Sequence, residues 1–324
     1  MSRVLIAIPR RHEAMDAGLE RLQAAGCELV LNPHGRTLRN DELTAMLADC
    51  FATVAGGERY TEEVFKAAPE LKVVARMGVG YDAVDVAAAT RHGVAVAMGF
   101  GTNHEAVADM AFALMAALSN RLFDYHREVM NKRWGGHFHP GLWRRAVGIL
   151  GLGRIGRALA RRCRGFEMRV LAYDTVADAA YAAAEGIELV ALEQLFREAD
   201  FVSVHAPHDA ASDKIVNAAR LALMKPSAFV INTARGGLVD EAALYEALRS
   251  GRIAGAGLDV FAVEPLPADS PLRGLANVVL TPHCAGGSVS AVALMTERCV
   301  DNVLALLDRR SPGDQYLLNP EVLR

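Results

Sequence analysis

The apolar run Ala146-Val-Gly-Ile-Leu150 breaks into Gly151-Leu-Gly153-Arg154-Ile155-Gly156, and Arg157 to Cys163 then reads as helix. A strand, a tight glycine turn and a helix N-terminus in that order leave few alternatives. One glycine makes the turn, one lets backbone N–H groups approach a pyrophosphate, and one lets helix and strand pack closely. An anion placed there meets the positive end of the helix dipole. A second apolar strand, Met168 to Tyr173, ends at Asp174, where a dinucleotide fold places the carboxylate that accepts both ribose hydroxyls. An acid at this point repels a 2′-phosphate, and Thr175-Val176-Ala177 brings no arginine to bind one. The pattern reads as NAD rather than NADP.

At 324 residues the chain has room for two domains of ordinary size. Strand-like and helix-like segments alternate from the start: Val4 to Ile8, Cys27 to Leu31, Phe51 to Ala55, Leu71 to Ala75 and Val94 to Met98 are strands, with helices between them. That period means parallel βαβ units. Gly99-Phe-Gly101 marks a first crossing between domains, and Gly286-Gly287-Ser288 a second. The substrate domain is expected at 1–99 with 288–324, and the NAD domain at 100–287. Beyond the first crossing, Thr102 or Asn103 is positioned to cap a long core helix. The mixed charged and aromatic stretch Arg121 to Trp143 reads as an arm or a subunit interface.

The chemistry gathers where the strands of the nucleotide domain end, the edge at which such sheets bind ligands. Those ends read His205-Ala206-Pro207, Thr233-Ala234-Arg235-Gly-Gly, Asp259 with Glu264, and His283. Reducing a 2-oxo acid requires a cation for its carboxylate and a proton for the oxygen that becomes alkoxide. Arg235 offers the cation as a bidentate fork that stays charged. His283 offers the proton, and Glu264 is its natural partner. Asp259 is expected near the nicotinamide end of the cofactor, with His205 and Pro207 walling it. In the first segment, Arg76-Met-Gly78-Val79-Gly80-Tyr-Asp82 follows a strand, and its glycines let successive N–H groups converge on one anion, a nest suited to a carboxylate. Asp82 or Asp85 would cap the helix after it. His104 and His208 read as capping or surface residues.

In these residues the chain resembles the D-isomer-specific 2-hydroxyacid dehydrogenase family. The motifs are Gly151 to Gly156 with Asp174, Val204-His-Ala-Pro207, Met224-Lys-Pro226 through Ile231-Asn-Thr-Ala-Arg-Gly-Gly-Leu-Val-Asp240, Gly257-Leu-Asp-Val-Phe-Ala-Val-Glu-Pro265 and Thr281-Pro-His283. The resemblance implies an α/β fold of two doubly wound parallel-sheet domains, a Rossmann NAD domain inserted into a flavodoxin-like substrate domain. It implies an active site between the domains and a homodimer joined through the nucleotide domains. Arg235, Glu264 and His283 match the catalytic trio, and Val79 with Gly80, together with Arg235, match the substrate-binding residues. The expected cofactor set is Gly151, Gly153, Arg154, Ile155, Gly156, Asp174, His205, Ala206, Pro207, Thr233, Ala234, Arg235, Asp259, His283 and Gly286. Phosphoglycerate-using members tend to carry an arginine where this chain has Val54-Ala55-Gly56, and formate dehydrogenases carry Gln at the position of Glu264. A small or medium 2-oxo acid such as glyoxylate or hydroxypyruvate is therefore the expected substrate.

The alternatives are an NADP-preferring glyoxylate/hydroxypyruvate reductase and a non-enzymatic NAD-sensing protein of the same fold. A net charge of −3 with 23% charged residues argues against nucleic-acid or membrane partners. Met1 to Pro9 is too short and too early broken for a signal or spanning segment, so the chain reads as cytoplasmic. The five cysteines show no metal-ligand spacing, although Cys284 follows His283 directly and could be reactive. A zinc site from His126, His137 and His139 lacks a suitable fourth ligand.

Overall fold

The computed structural model describes residues 1–9 and 11–324. Two compact units emerge: Met1–Asn103 with Gly286–Arg324, and His104–Ala285.

In the first unit, β1 (Arg3–Ile6), β2 (Glu28–Leu31), β3 (Ala52–Ala55), β4 (Val73–Arg76) and β5 (Ala95–Met98) form a parallel sheet in the order β2-β1-β3-β4-β5. Its inner strands are apolar almost throughout, because helices cover both faces. Leu43, Leu47, Phe65 and Ala88 pack on one face. On the other, Leu19 and Leu22 meet Cys299, Val300 and Val303 of the closing helix Val289–Leu307. The carboxyl end of β4 leads into the Arg76–Asp82 loop. Of the two candidate caps beyond it, Asp85 is used: its Oδ1 accepts from the Ala88 amide at 2.8 Å and starts the helix Val86–Arg91. Thr102 does not cap the next helix; its hydroxyl donates to the Gly99 carbonyl at 2.6 Å.

The second unit holds β6 (Ala146–Leu150), β7 (Arg169–Tyr173), β8 (Glu188–Leu189), β9 (Phe201–Val204), β10 (Phe229–Asn232), β11 (Gly255–Leu258) and β12 (Val278–Leu280), all parallel, in the order β12-β11-β10-β9-β6-β7-β8. The order reverses at β6, so the ends of β6 and β9 flank a topological switch point, the crevice where open α/β sheets take their ligands. β11 ends at Leu258, leaving Asp259 as the first residue beyond it rather than within the strand. The core helix His104–Ser119 buries Ala111, Leu114, Met115 and Leu118 against this sheet's side of the unit. After it, Leu122–Met130 is a helix with no buried residue. Trp134 and Phe138, in the irregular stretch that follows, are fully exposed.

Candidate active site

The glycine turn sits directly at the switch point. Gly151 has φ +94°, and a methyl group on it would lie 2.7 Å from the backbone of His205 and Ala206. Only glycine satisfies both conditions, so β6 and β9 come close here because of that residue. Gly153 has open space around it and begins the helix Arg154–Arg164 with no side-chain cap, leaving the first amides, at Arg154 and Ile155, available to an anion. Asp174 lies at the end of the neighbouring β7. Its Oδ2 accepts from the Leu152 amide at 2.7 Å and its Oδ1 from the Val176 amide at 2.8 Å, which fixes the carboxylate against the glycine turn. The nearby Arg157 is spent elsewhere: it donates to the Leu152 carbonyl at 3.0 Å, contacts Asp178 at 3.3 Å and lies over the Tyr181 ring.

Two sealed polar atoms face no protein partner at these strand ends. Thr233 Oγ1 and His205 Nδ1 are buried and make no hydrogen bond among the described residues. His205 Nε2 pairs with Ser203 Oγ at 2.8 Å, and burial pushes the ring's pKa down to about 3, so it stays neutral. Orphaned buried groups next to an uncapped helix N-terminus suit a bound dinucleotide with its own donors and acceptors.

Arg235 follows β10 in a loop tied by Asn232, whose Oδ1 accepts from the Ala234 amide at 3.0 Å and whose Nδ2 donates to the Arg235 carbonyl at 2.9 Å. The two glycines after Arg235 are required by contact. A methyl on Gly236 would lie 1.9 Å from the Phe261 carbonyl carbon, and one on Gly237 would lie 2.4 Å from the His208 ring. His208, read from the sequence as a capping or surface residue, is exposed, and its ring also lies against the arginine loop, held there by Asp213 at 2.9 Å. Nothing in the sequence distinguished it, since its contact depends on a glycine 29 positions away.

Glu264 and His283 meet as expected. His283 Nδ1 lies 2.6 Å from Glu264 Oε2, and Glu264 Oε1 accepts from the Phe261 amide at 2.9 Å. Burial pushes the Glu264 carboxyl up, but the His283 hydrogen bond, the Phe261 amide and the charges of His283 and Arg235 outweigh it and hold it below the ordinary carboxylate value. With Nδ1–H engaged by the carboxylate, Nε2 is the ring atom left to exchange a proton.

His283 has φ +50°, an uncommon conformation for a residue with a side chain. Asp259 imposes it. Its carbonyl accepts from the His283 amide at 2.8 Å, its Oδ1 from the Thr281 hydroxyl at 2.6 Å and the Cys284 amide at 3.0 Å, and its Oδ2 from the Ala285 amide at 2.9 Å. The carboxylate is wholly buried. The Cys284 thiol also reaches Asp259, at 3.6 Å, and burial followed by that negative charge raises its pKa, which keeps it a thiol rather than a reactive thiolate.

Val79, Gly80 and Gly286 belong to the first unit, apart from the others. Gly286 packs against the Asn103 side chain there. In the nest loop, the Met77 amide donates to Ala55 and the Gly78 amide to Arg76, whereas the Val79 and Gly80 amides make no hydrogen bond among the described residues.

Residues 112–285 match the family model described as D-isomer specific 2-hydroxyacid dehydrogenase, NAD binding domain. The chain is 43% identical over 268 residues to a glyoxylate reductase of Korarchaeum cryptofilum, covering 81% of this chain and 80% of that protein. It is 42% identical to a D-3-phosphoglycerate dehydrogenase of Mycobacterium tuberculosis over 78% of this chain, but spans only 48% of that longer protein. Among solved structures, the TT0316 protein from Thermus thermophilus superposes with a TM-score of 0.88 at 36% identity, covering 98% of this chain and 99% of that one.

Proposed function

The chain belongs to the D-isomer-specific 2-hydroxyacid dehydrogenase family, and on that premise we propose that Arg235, Glu264 and His283 carry its chemistry on a small 2-oxo acid of the glyoxylate class. The protein is an NAD-linked oxidoreductase of 2-hydroxy acids. NAD, when bound, would supply the hydride-transfer chemistry at the substrate's C2. Gly151 to Gly156, Asp174, His205 to Pro207, Thr233 and Ala234 would hold it.

The remaining work falls to side chains of this chain. Arg235 holds the substrate carboxylate by its guanidinium fork, and the unengaged Val79 and Gly80 amides of the other unit are donors of the kind a carboxylate takes. His283 delivers a proton from Nε2 to the carbonyl oxygen during reduction and takes it back during oxidation. Glu264 orients the ring through Nδ1. Asp259 fixes the backbone that presents it. The 2.6 Å contact between His283 and Glu264, set beside the Arg235 charge, is the observation that carries this reading.

A substrate without a phosphate is supported by the end of β3, where Ala55-Gly56-Gly57 leads to the buried acid Glu58 and the next cation, Arg59, is exposed. NAD over NADP is supported by the fixed Asp174 carboxylate and by Arg157 being taken up with Asp178 and Tyr181. A homodimer through the 121–143 segment is supported by its exposed Phe123, Met130, Trp134 and Trp143, a concentration of apolar surface that a monomer rarely leaves in water. Five unpaired cysteines suit a reducing, cytoplasmic setting.

The test is NADH and NADPH oxidation by the purified protein against glyoxylate, hydroxypyruvate, pyruvate, branched 2-oxo acids, phenylpyruvate and 3-phosphohydroxypyruvate. Fastest turnover with NADH on glyoxylate or hydroxypyruvate is expected. A clear preference for the phosphorylated or the aromatic acid would overturn the substrate reading.

A further inference from the structure

The Arg76–Asp82 loop is held in two different ways along its length. Its first half is fixed by backbone bonds: Met77 N to Ala55 O at 2.9 Å, Gly78 N to Arg76 O at 3.0 Å, and Gly99 N to Gly78 O at 3.0 Å. Its second half, which carries the unengaged Val79 and Gly80 amides, has a side-chain restraint instead. Arg76 directs Nε and Nη2 of one guanidinium to the Gly80 carbonyl, at 3.1 and 3.0 Å. Two donors of a rigid planar group on one acceptor constrain direction as well as distance.

We infer that Arg76 is a positioning residue for substrate: by fixing the Gly80 carbonyl, it sets the orientation of the Val79–Gly80 amides that receive the substrate carboxylate. The inference rests on the proposed role of those amides. Arg76 is itself anchored in charge. It is half-buried, and its field acts on Glu58, whose carboxylate is 1% exposed and accepts from the Gly56 amide at 2.8 Å. Burial raises the Glu58 carboxyl, opposed by the Glu58 and Gly56 amides and by the Arg76 charge. A cation held among buried groups gives the nest a fixed support and adds positive potential near an incoming anion. Lysine keeps the charge but offers no fork, and glutamine offers neither.

Arg76→Gln and Arg76→Lys are compared with the native enzyme on glyoxylate, or whichever 2-oxo acid ranks first in the panel, and on its methyl ester. Arg76→Gln is expected to raise KM for the acid tenfold or more, equivalent to about 1.4 kcal/mol. A kcat within about threefold of the native value, and an unchanged KM for the ester, mark loss of carboxylate binding rather than of the chemical step. NADH affinity, measured by fluorescence, should stay constant, and Arg76→Lys should recover part of the KM. A general loss of structure would move all of these together. Should Arg76→Gln fail to fold, Arg76→Lys still has to show a raised KM for the acid with kcat preserved. If the native enzyme does not prefer the acid over the ester, the carboxylate reading itself fails. If it does, and the variants keep the native KM and preference, Arg76 does not position the nest.

Discussion

Replacing Gly236 by alanine tests whether the arginine loop and the glutamate loop act as one body. The added methyl would lie 1.9 Å from the Phe261 carbonyl carbon, 2.1 Å from its oxygen and 2.3 Å from the Ala262 nitrogen. One backbone must move by about 1.5 Å, since ordinary contact begins at 3.4 Å and close-packed interiors do not absorb such an overlap by compression. Arg235 immediately precedes the glycine, and the Phe261 amide is bonded to Glu264, which in turn holds His283. The displacement therefore separates the proposed anion clamp from the proposed acid/base pair. Misplacement by about 1 Å can cost about a hundredfold in rate, so kcat/KM should fall by at least that factor. Overpacking typically costs about 1–3 kcal/mol, and a unit of this size loses roughly 2–4 °C of Tm per kcal/mol. NADH should still bind, weakened at most through Thr233 and Ala234, because the glycine turn lies on other strands. Gly274→Ala is the control: its methyl meets nothing within 4 Å, and both rate and Tm should match the native protein. Native kcat/KM in Gly236→Ala would refute the idea that contact at this glycine holds the site together.

Three further variants have expected outcomes. His283→Ala should remove nearly all turnover while NADH still binds, measured by steady-state kinetics and fluorescence titration; a variant with native turnover takes His283 out of the mechanism. Glu264→Gln removes the carboxylate that holds His283 Nδ1, so kcat should fall while NADH still binds, and native kcat counts against the dyad. Because the native Glu264 pKa is lowered, its contribution to stability is complete above the ordinary carboxylate pKa, about 4.3, and is lost as pH falls through the lowered value; in Glu264→Gln that part of the acid-side loss should vanish from Tm measured against pH. Asp174→Ala should narrow the ratio of NADH to NADPH efficiency, and an unchanged ratio would free Asp174 of any part in cofactor choice.

Much of this arrangement was legible because parallel strands advertise themselves. Segments such as Phe229–Ile231 and Ala95–Met98 are apolar without interruption, and each is followed by a polar or glycine residue at the edge where a doubly wound sheet binds its ligands. Periodicity therefore located Arg235, Asp259 and His283 to within three residues of the strand ends. Side-chain partnerships were less legible, because they join residues far apart in order. His208 is the exposed residue the sequence suggests, but its contact with Gly237 was not readable, and Asn232 looked like a strand terminus although it ties both ends of the arginine turn. An asparagine two residues before a loop amide is the signature of an Asx-turn, and that local signal was available.

Asp259 shows how a residue's type was readable while its bonding was not. An acid one residue past β11 was read as a neighbour of the nicotinamide. In the structure both of its oxygens are occupied by the 281–285 segment, and no exposed surface remains on it. A fully desolvated carboxylate is costly unless its lone pairs are met, and here two amides, a hydroxyl and a thiol meet them. Those same bonds hold His283 at positive φ, a conformation that costs of order 1–3 kcal/mol and persists only where surroundings over-determine it. The buried charge and the strained histidine thus require each other: without Asp259 the turn has no reason to stay left-handed, and without the turn the carboxylate loses its donors. Cys284 is drawn into the same arrangement by its amide, which is why a thiol beside the proposed acid/base residue is held protonated instead of competing with it.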